Sequence, residues 1–169
     1  MTGYRDGRPD DAAGIDAVYR ESFTDTFAHL YQPEDLASFF AGFTLERWES
    51  ELRDPAIAFR LACDGEDRPV AYAKLAPLTL PVETHVPALT LDQIYILKSH
   101  HGEGIGRQLL EWTIAEAGRR GAAELYLTVF TENHRARRLY EGYGFAAVGR
   151  YDFMVGDHAD EDIIMRKAL

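Results

Sequence analysis

Between residues 89 and 130 the chain changes its hydrophobic period twice, and that change decides what it can fold into. Leu89–Leu97 is a dense apolar run that predicts a strand. Gly102, Gly104 and Gly106 then interrupt the chain in a turn. Ile105, Leu109, Leu110, Thr113, Ile114 and Ala117 follow at the spacing of one helix face, and Gly121 stops that helix. Glu124–Phe130 returns to strand period. A strand, a helix and a strand in succession form a crossover, which is how parallel neighbours are joined. A parallel pair therefore sits inside whatever sheet the rest of the chain builds.

The flanks fill in that sheet. A short strand is expected near Thr2–Arg5. Pro9, Asp10 and Asp11 open a helix whose Ile15, Val18, Tyr19, Ser22 and Phe23 share a face. Glu34–Phe40 predicts a second helix, and Thr44 caps a third. Ala58–Cys63 and Val70–Leu78 read as a hairpin across the polar turn Asp64–Arg68. Asn133–Gly142 predicts a last helix. Phe145–Val155 and Asp162–Lys167 form an antiparallel pair around a turn at Gly156–Asp160. The order implies an α/β (α+β) layer fold, in one domain spanning residues 1–169.

Composition excludes several classes of function. Apolar residues make up 46% of the chain and aromatics 12%, enough for a packed core. The apolar runs are too short and too interrupted by charge for a membrane span. The opening residues lack the apolar segment of a secretion signal, so a cytoplasmic protein is expected. A net charge of −10 repels nucleic acid and favours cationic small molecules. The single cysteine, Cys63, reads as a buried, inert thiol, and adjacent His100 and His101 diverge on any regular element. No metal is expected.

The glycine turn suggests a ligand. A turn stripped of side chains at a helix start exposes unpaired amides, and the helix dipole adds partial positive charge. That combination grips a phosphate or diphosphate. The spacing G-x-G-x-G is not the dinucleotide fingerprint, and Gly106-Arg107-Gln108 is not a P-loop. Alone, the turn is equally compatible with a tight bend that holds nothing.

A second segment narrows the choice. His101, Gly104 and Gly106 resemble the Q/R-x-x-G-x-G/A signature of the GNAT acetyltransferase superfamily. Leu127, Val129, Asn133, Ala136, Tyr140, Gly144 and Phe145 resemble its companion motif. The departure is His101, where the family usually carries Gln or Arg. The resemblance implies a mixed, mostly antiparallel sheet of six to seven strands with a splayed parallel pair, here Leu89–Leu97 and Glu124–Phe130 as the fourth and fifth strands (β4 and β5). It also implies acetyl-CoA as co-substrate. On this sequence the pantetheine arm would lie along Ile94, Tyr95 and Ile96. The diphosphate would sit on His101, Gly102, Glu103, Gly104, Ile105, Gly106 and Arg107, with Asn133, Ala136 and Arg138 beside the cofactor. Asn133 reads equally as a helix cap. Arg138, with Arg107, Arg135 and Arg137, reads either as a phosphate-binding cluster or as a solvated face.

The chemistry needs an acid for the leaving thiolate and a route for the ammonium proton. Tyr140 fits the first role by the resemblance, and core packing is its plain alternative. An alkyl ammonium near 10.4 must lose a proton before it can attack, and Asp92 is placed to draw it in or to accept that proton through water. Strand alternation would set Asp92 on the face of Ile94 and Ile96. Asp92 reads equally as a surface acid.

The F-x-D-T-F helix end and the C-terminal acidic stretch resemble PaiA-type bacterial spermine/spermidine acetyltransferases. That likeness implies a small-molecule amine acceptor bound by Asp25, Phe27, Tyr31, Glu34, Asp35 and Glu161, with Asp160 as a further acid. Acetylation of an aminoglycoside, an amino acid or a protein N-terminus remains open, as does a CoA-binding module without turnover. The C-terminal strands leave a homodimer open.

Overall fold

The computed structural model describes residues 1–169. Seven strands form one sheet: β1 (Gly3–Asp6), β2 (Ala58–Cys63), β3 (Pro69–Pro77), β4 (Ala88–Ile96), β5 (Glu124–Phe130), β6 (Ala146–Val155) and β7 (His158–Ala168). Their spatial order is β1-β2-β3-β4-β5-β7-β6, and only β4 and β5 run parallel. The five α-helices are α1 (Ala12–Phe27), α2 (Pro33–Ala41), α3 (Leu45–Arg53), α4 (Ile105–Arg119) and α5 (His134–Gly142).

Each sheet face carries its own core. Ile105, Leu109, Leu110 and Ala117 of α4 and Tyr140 of α5 pack on Ala73, Leu75, Leu91, Leu125 and Leu127. On the other face Ile15, Tyr19 and Phe23 of α1, Phe40 of α2 and Trp48 of α3 pack on Phe59, Leu61 and Tyr72. That second core is largely aromatic, with Tyr19 against Trp48 at 5.8 Å and against Tyr95 at 5.0 Å. Tyr72 of β3 serves one core and its neighbour Ala73 the other, as the pleat requires. Thr44 caps α3 by accepting a hydrogen bond from the Arg47 amide at 3.1 Å.

Two local features depart from the sequence reading. The register of β3 and β4 slips between Lys74 and Leu75, so that Leu91 and Gln93 find partners and Asp92 is the extra residue of a bulge. Leu91, Ile94 and Ile96 all meet the α4 core. Asp92 turns to the opposite face, that of Tyr72 and Lys74, and does not share a face with Ile94 and Ile96. The turn between β6 and β7 is also tighter than expected. Val155 pairs with His158, so only Gly156 and Asp157 lie outside the ladder. Gly156 has φ +59°, which suits the first turn residue of a two-residue hairpin. Asp160 therefore belongs to β7 and not to the turn. No helix is long and apolar enough to cross a membrane.

Candidate active site

The parallel strands part company early. Ala88, Leu89 and Thr90 pair with Glu124, Leu125 and Tyr126, and there the β4–β5 ladder ends. Beyond it β4 stays with β3 to Ile96, while β5 stays with β7 to Phe130. The strands splay, and a cleft of about 520 Å³ passes between them from one face of the sheet to the other. The backbone of Ile94, Tyr95 and Ile96 lines this cleft on a strand edge with no strand partner.

On the α4 face the cleft ends at the glycine turn. Gly102 and Gly104 adopt φ +83° and +78°, conformations that only glycine takes readily. A Cβ on either would meet nothing within 4 Å, so open space lies over the turn. Gly106 is different: a Cβ there would come to 3.3 Å from Ile96 Cδ1, closing the wall between turn and strand. The first amides of α4 have no acceptor within the helix and carry the positive end of its dipole. His101 does not join them. Its amide donates to Lys98 O at 3.2 Å and its Nε2 to Ile96 O at 3.0 Å, so it braces the turn against the end of β4. His101, Gly102, Gly104, Ile105, Gly106 and Arg107 line the cleft, and Glu103 does not.

Three residues of the second motif meet the cleft at α5: its cap Asn133, then Ala136 and Tyr140. Asn133 caps the helix, its Oδ1 accepting from the Ala136 amide at 3.3 Å. Tyr140 is 6% exposed, packs edge-on to Phe145 at 6.0 Å, and makes no hydrogen bond to another side chain. Burial alone pushes its hydroxyl up to about 12, so it is a neutral phenol at physiological pH. Arg138 is exposed and does not reach the cleft; Arg135, one residue before Ala136, does.

On the α1 face the walls are aromatic and acidic. Phe23, Phe27 and Tyr31 face Phe130 and Phe153, with Phe27 and Phe130 edge-to-face at 6.1 Å. Asp92 lies on the β4 side and is bound 2.9 Å from Lys74 Nζ, which also holds Glu51 at 2.9 Å. Asp160 and Asp162 come from β7 and are buried. The Tyr31 hydroxyl donates to Asp160, whose other oxygen lies 3.1 Å from His158 Nε2. Burial and this carboxylate raise the Tyr31 hydroxyl above its ordinary range. Asp162 has no cation beside it. Burial, then the charge of Asp160, push its carboxyl up to about 7, against a partial pull downward from the Thr128 hydroxyl.

Asp162 is the residue that sequence reasoning missed. The expected turn ended at Asp160 and left no alternation to read; with the tight Gly156-Asp157 turn, Asp160 and Asp162 fall on one face two residues apart. The same alternation sends Glu161 to the other face, where it pairs with Arg150, so Glu161 does not line the cleft. Of the expected acceptor-site residues, Phe27 and Tyr31 line it, while Asp25, Glu34 and Asp35 do not. Asp25 and Glu34 are exposed, and Asp35 is packed against Gly156. No group of three or more His, Cys, Asp or Glu side chains is arranged to hold a metal ion. Cys63 is buried.

Comparison with known proteins gives this geometry a family. Residues 15–145 match the model of the acetyltransferase (GNAT) family. An uncharacterized N-acetyltransferase of Lactobacillus delbrueckii subsp. lactis is 31% identical over 156 residues, 90% of this chain and 89% of that protein. Among solved structures, the PaiA N-acetyltransferase of Thermoplasma acidophilum in complex with coenzyme A superposes with a TM-score of 0.78 at 21% identity, covering 100% of this chain and 99% of that one. The ribosomal-protein-S18-alanine N-acetyltransferase of Escherichia coli superposes with a TM-score of 0.73 at 20% identity, covering 99% and 94%. The two structural likenesses show a shared fold.

Proposed function

Because the chain belongs to the GNAT acetyltransferase family, and is an N-acetyltransferase that draws on acetyl-CoA, we propose that its acceptor is a primary amine of a small cationic molecule, with polyamines such as spermidine and spermine the class to test first. One observation carries this reading: Asp92, Asp160 and Asp162 converge on an aromatic-walled chamber at the α1 end of the cleft. Carboxylates set among aromatic faces suit alkyl ammonium groups, which gain from charge pairing and from cation–π contact. A neutral or anionic acceptor would leave Asp162, which is buried and has no cation beside it, unpaired.

The residues on the α4 face fit the coenzyme. The open space above Gly102 and Gly104 and the free amides that begin α4 suit a diphosphate, with Arg107 and Arg135 to pair its charge. The unpaired edge of β4 at Ile94–Ile96 offers backbone groups to an amide-bearing arm. When bound, acetyl-CoA supplies an acetyl group already activated as a thioester. The chain's own groups do the rest. A β4 amide polarises the carbonyl and takes up charge as it grows on oxygen. The cleft holds amine and thioester in line, which removes much of the entropic barrier. The Tyr140 phenol donates to the departing sulfur. A thiol is the stronger acid in water, near 8.5, yet the apolar surroundings that raise Tyr140 also raise a thiolate formed beside it, so the two stay close enough for donation.

The test is thiol release from acetyl-CoA across a panel of acceptors: spermidine, spermine, an aminoglycoside, free amino acids and a peptide with a free N-terminus. Turnover with the polyamines at a kcat/KM at least tenfold above every other acceptor is the expected result. A preference for the peptide, or coenzyme binding with no turnover on any amine, would refute it.

A further inference from the structure

We propose that Asp162 is the residue that accepts the proton of the acceptor ammonium. This rests on the amine reading above and names the base for it. Three carboxylates reach the cleft, and two are engaged already. Asp92 holds Lys74 at 2.9 Å, and Asp160 takes the Tyr31 hydroxyl and His158. Asp162 lies beside the splay, its position on β7 opposite Phe130 of β5 and Tyr151 of β6. Of the chain's cations, none pairs with it: Arg150 is turned to Glu161 and Lys74 to Asp92, while Arg107 and Arg135 line the end of the cleft beyond the sheet.

Apart from the Thr128 hydroxyl, the titratable groups around it are acids or phenols. Asp160 stands two residues away on the same face; Tyr95 of β4 feels Asp92, Tyr140 and Asp162 together, which helps to raise its own hydroxyl. Tyr95, the proposed acid, the proposed base and Asp92 all line the same cleft. Burial and the Asp160 charge hold Asp162 near 7, where it is a stronger base than an ordinary carboxylate and yet about half ionised at neutral pH. An alkyl ammonium lies about 3.4 pH units above neutrality, and a base near 7 halves the gap that an ordinary carboxylate would face.

The step balances. The ammonium gives one proton to Asp162, and the freed amine nitrogen attacks the thioester carbon. The C–N bond forms and the C–S bond breaks, its electron pair leaving on sulfur. The sulfur takes the Tyr140 proton, and Tyr140 is restored by the second proton lost from the new amide nitrogen. Asp162 releases its proton to solvent.

The experiment compares pH–rate profiles of kcat/KM for spermidine. Wild-type enzyme is expected to fall tenfold per pH unit below about 7 and to level above it. Asp162→Asn is expected to lose roughly a hundredfold at pH 7, to keep rising with the free-amine fraction up to pH 9, and to retain its affinity for acetyl-CoA. Asp160→Asn supplies a second reading that needs no change at Asp162: with the neighbouring charge gone, the acidic limb should move to lower pH. An Asp162→Asn profile parallel to the wild type overturns the assignment, as does an unmoved limb in Asp160→Asn. If the wild type acetylates no amine, the acceptor reading falls and takes this assignment with it; if it does and the profiles stay parallel, only the assignment falls.

Discussion

Replacing Asp162 by Asn should stabilise the protein, and the gain should depend on pH in a way that can be worked out beforehand. In the fold the Asp162 carboxyl is raised from 3.8 to about 7, with desolvation the largest cause and Asp160 the second. An acid whose folded value lies above its unfolded value binds its proton more tightly in the native state. Its contribution to stability is therefore intact below about 3.8 and is lost as pH rises through about 7. Each pH unit crossed costs about 1.4 kcal/mol, so the full loss above pH 7 is at most about 4 kcal/mol. The cleft admits solvent, which screens the charge and brings that ceiling to about 2 kcal/mol. Asn has the shape of the acid and cannot ionise. Asp162→Asn should match the wild type near pH 4 and melt about 4–8 °C higher at pH 8, the shift that about 2 kcal/mol makes in a chain of this size. Thermal unfolding followed at pH 4, 5, 6, 7 and 8 reads this directly. A difference in Tm that stays flat across the series, or a variant less stable than the wild type at pH 8, would refute the assignment of a strained, ionised carboxylate.

Three further outcomes are expected. Tyr140→Phe should lower kcat tenfold or more while leaving the affinity for acetyl-CoA within about twofold, measured by steady-state kinetics and calorimetry, because it removes only the phenol proposed to donate to the sulfur. Gly104→Ala forces a left-handed backbone at φ +78° on a residue that resists it by about 1–2 kcal/mol, so coenzyme affinity should drop about tenfold while the far-ultraviolet spectrum is unchanged. Asp92→Asn leaves the buried Lys74 with Glu51 alone; denaturant unfolding should show a loss of about 1 kcal/mol, and the KM for spermidine should rise more than kcat falls.

The parts of this site that were legible in the sequence are those fixed by local patterns. β2 and β5 occupy the expected residues because a period of two bounded by polar turns leaves little choice. The glycines at 102, 104 and 106 and the row from Asn133 to Tyr140 were readable because turn conformation and helix spacing are written into residue type. What was not legible depends on pairing partners. Nothing in the residues around Asp92 announces a bulge, since the slip is set where β3 and β4 meet, and it moves that carboxylate from one face to the other. His101 lines the cleft as its place in the motif suggests, but the contact of its ring with Ile96 O was not readable from that place. Asp162 is a different case. Gly156-Asp157 is a recognisable two-residue turn, and reading it as such would have placed Asp160 and Asp162 on one face from the outset.

The two faces of the sheet divide the chemistry between them, and the division follows from where the parallel ladder stops. Had β4 and β5 stayed paired past Thr90 and Tyr126, the edge at Ile94–Ile96 would be consumed by hydrogen bonds and the faces sealed from each other. Because they part, backbone amides and arginines gather at one end and carboxylates at the other, separated by a short apolar passage with Tyr140 and Tyr95 along it. The charges are opposite at the two mouths, which suits a polyanionic donor and the polycationic acceptor proposed above. Each mouth repels the wrong reactant, so orientation is settled before the reacting atoms meet. The acids cost stability in the free enzyme, since Asp160 and Asp162 repel each other in a buried setting. An ammonium group relieves that repulsion when it binds. It then finds a base made strong by the very burial that made the empty chamber unfavourable.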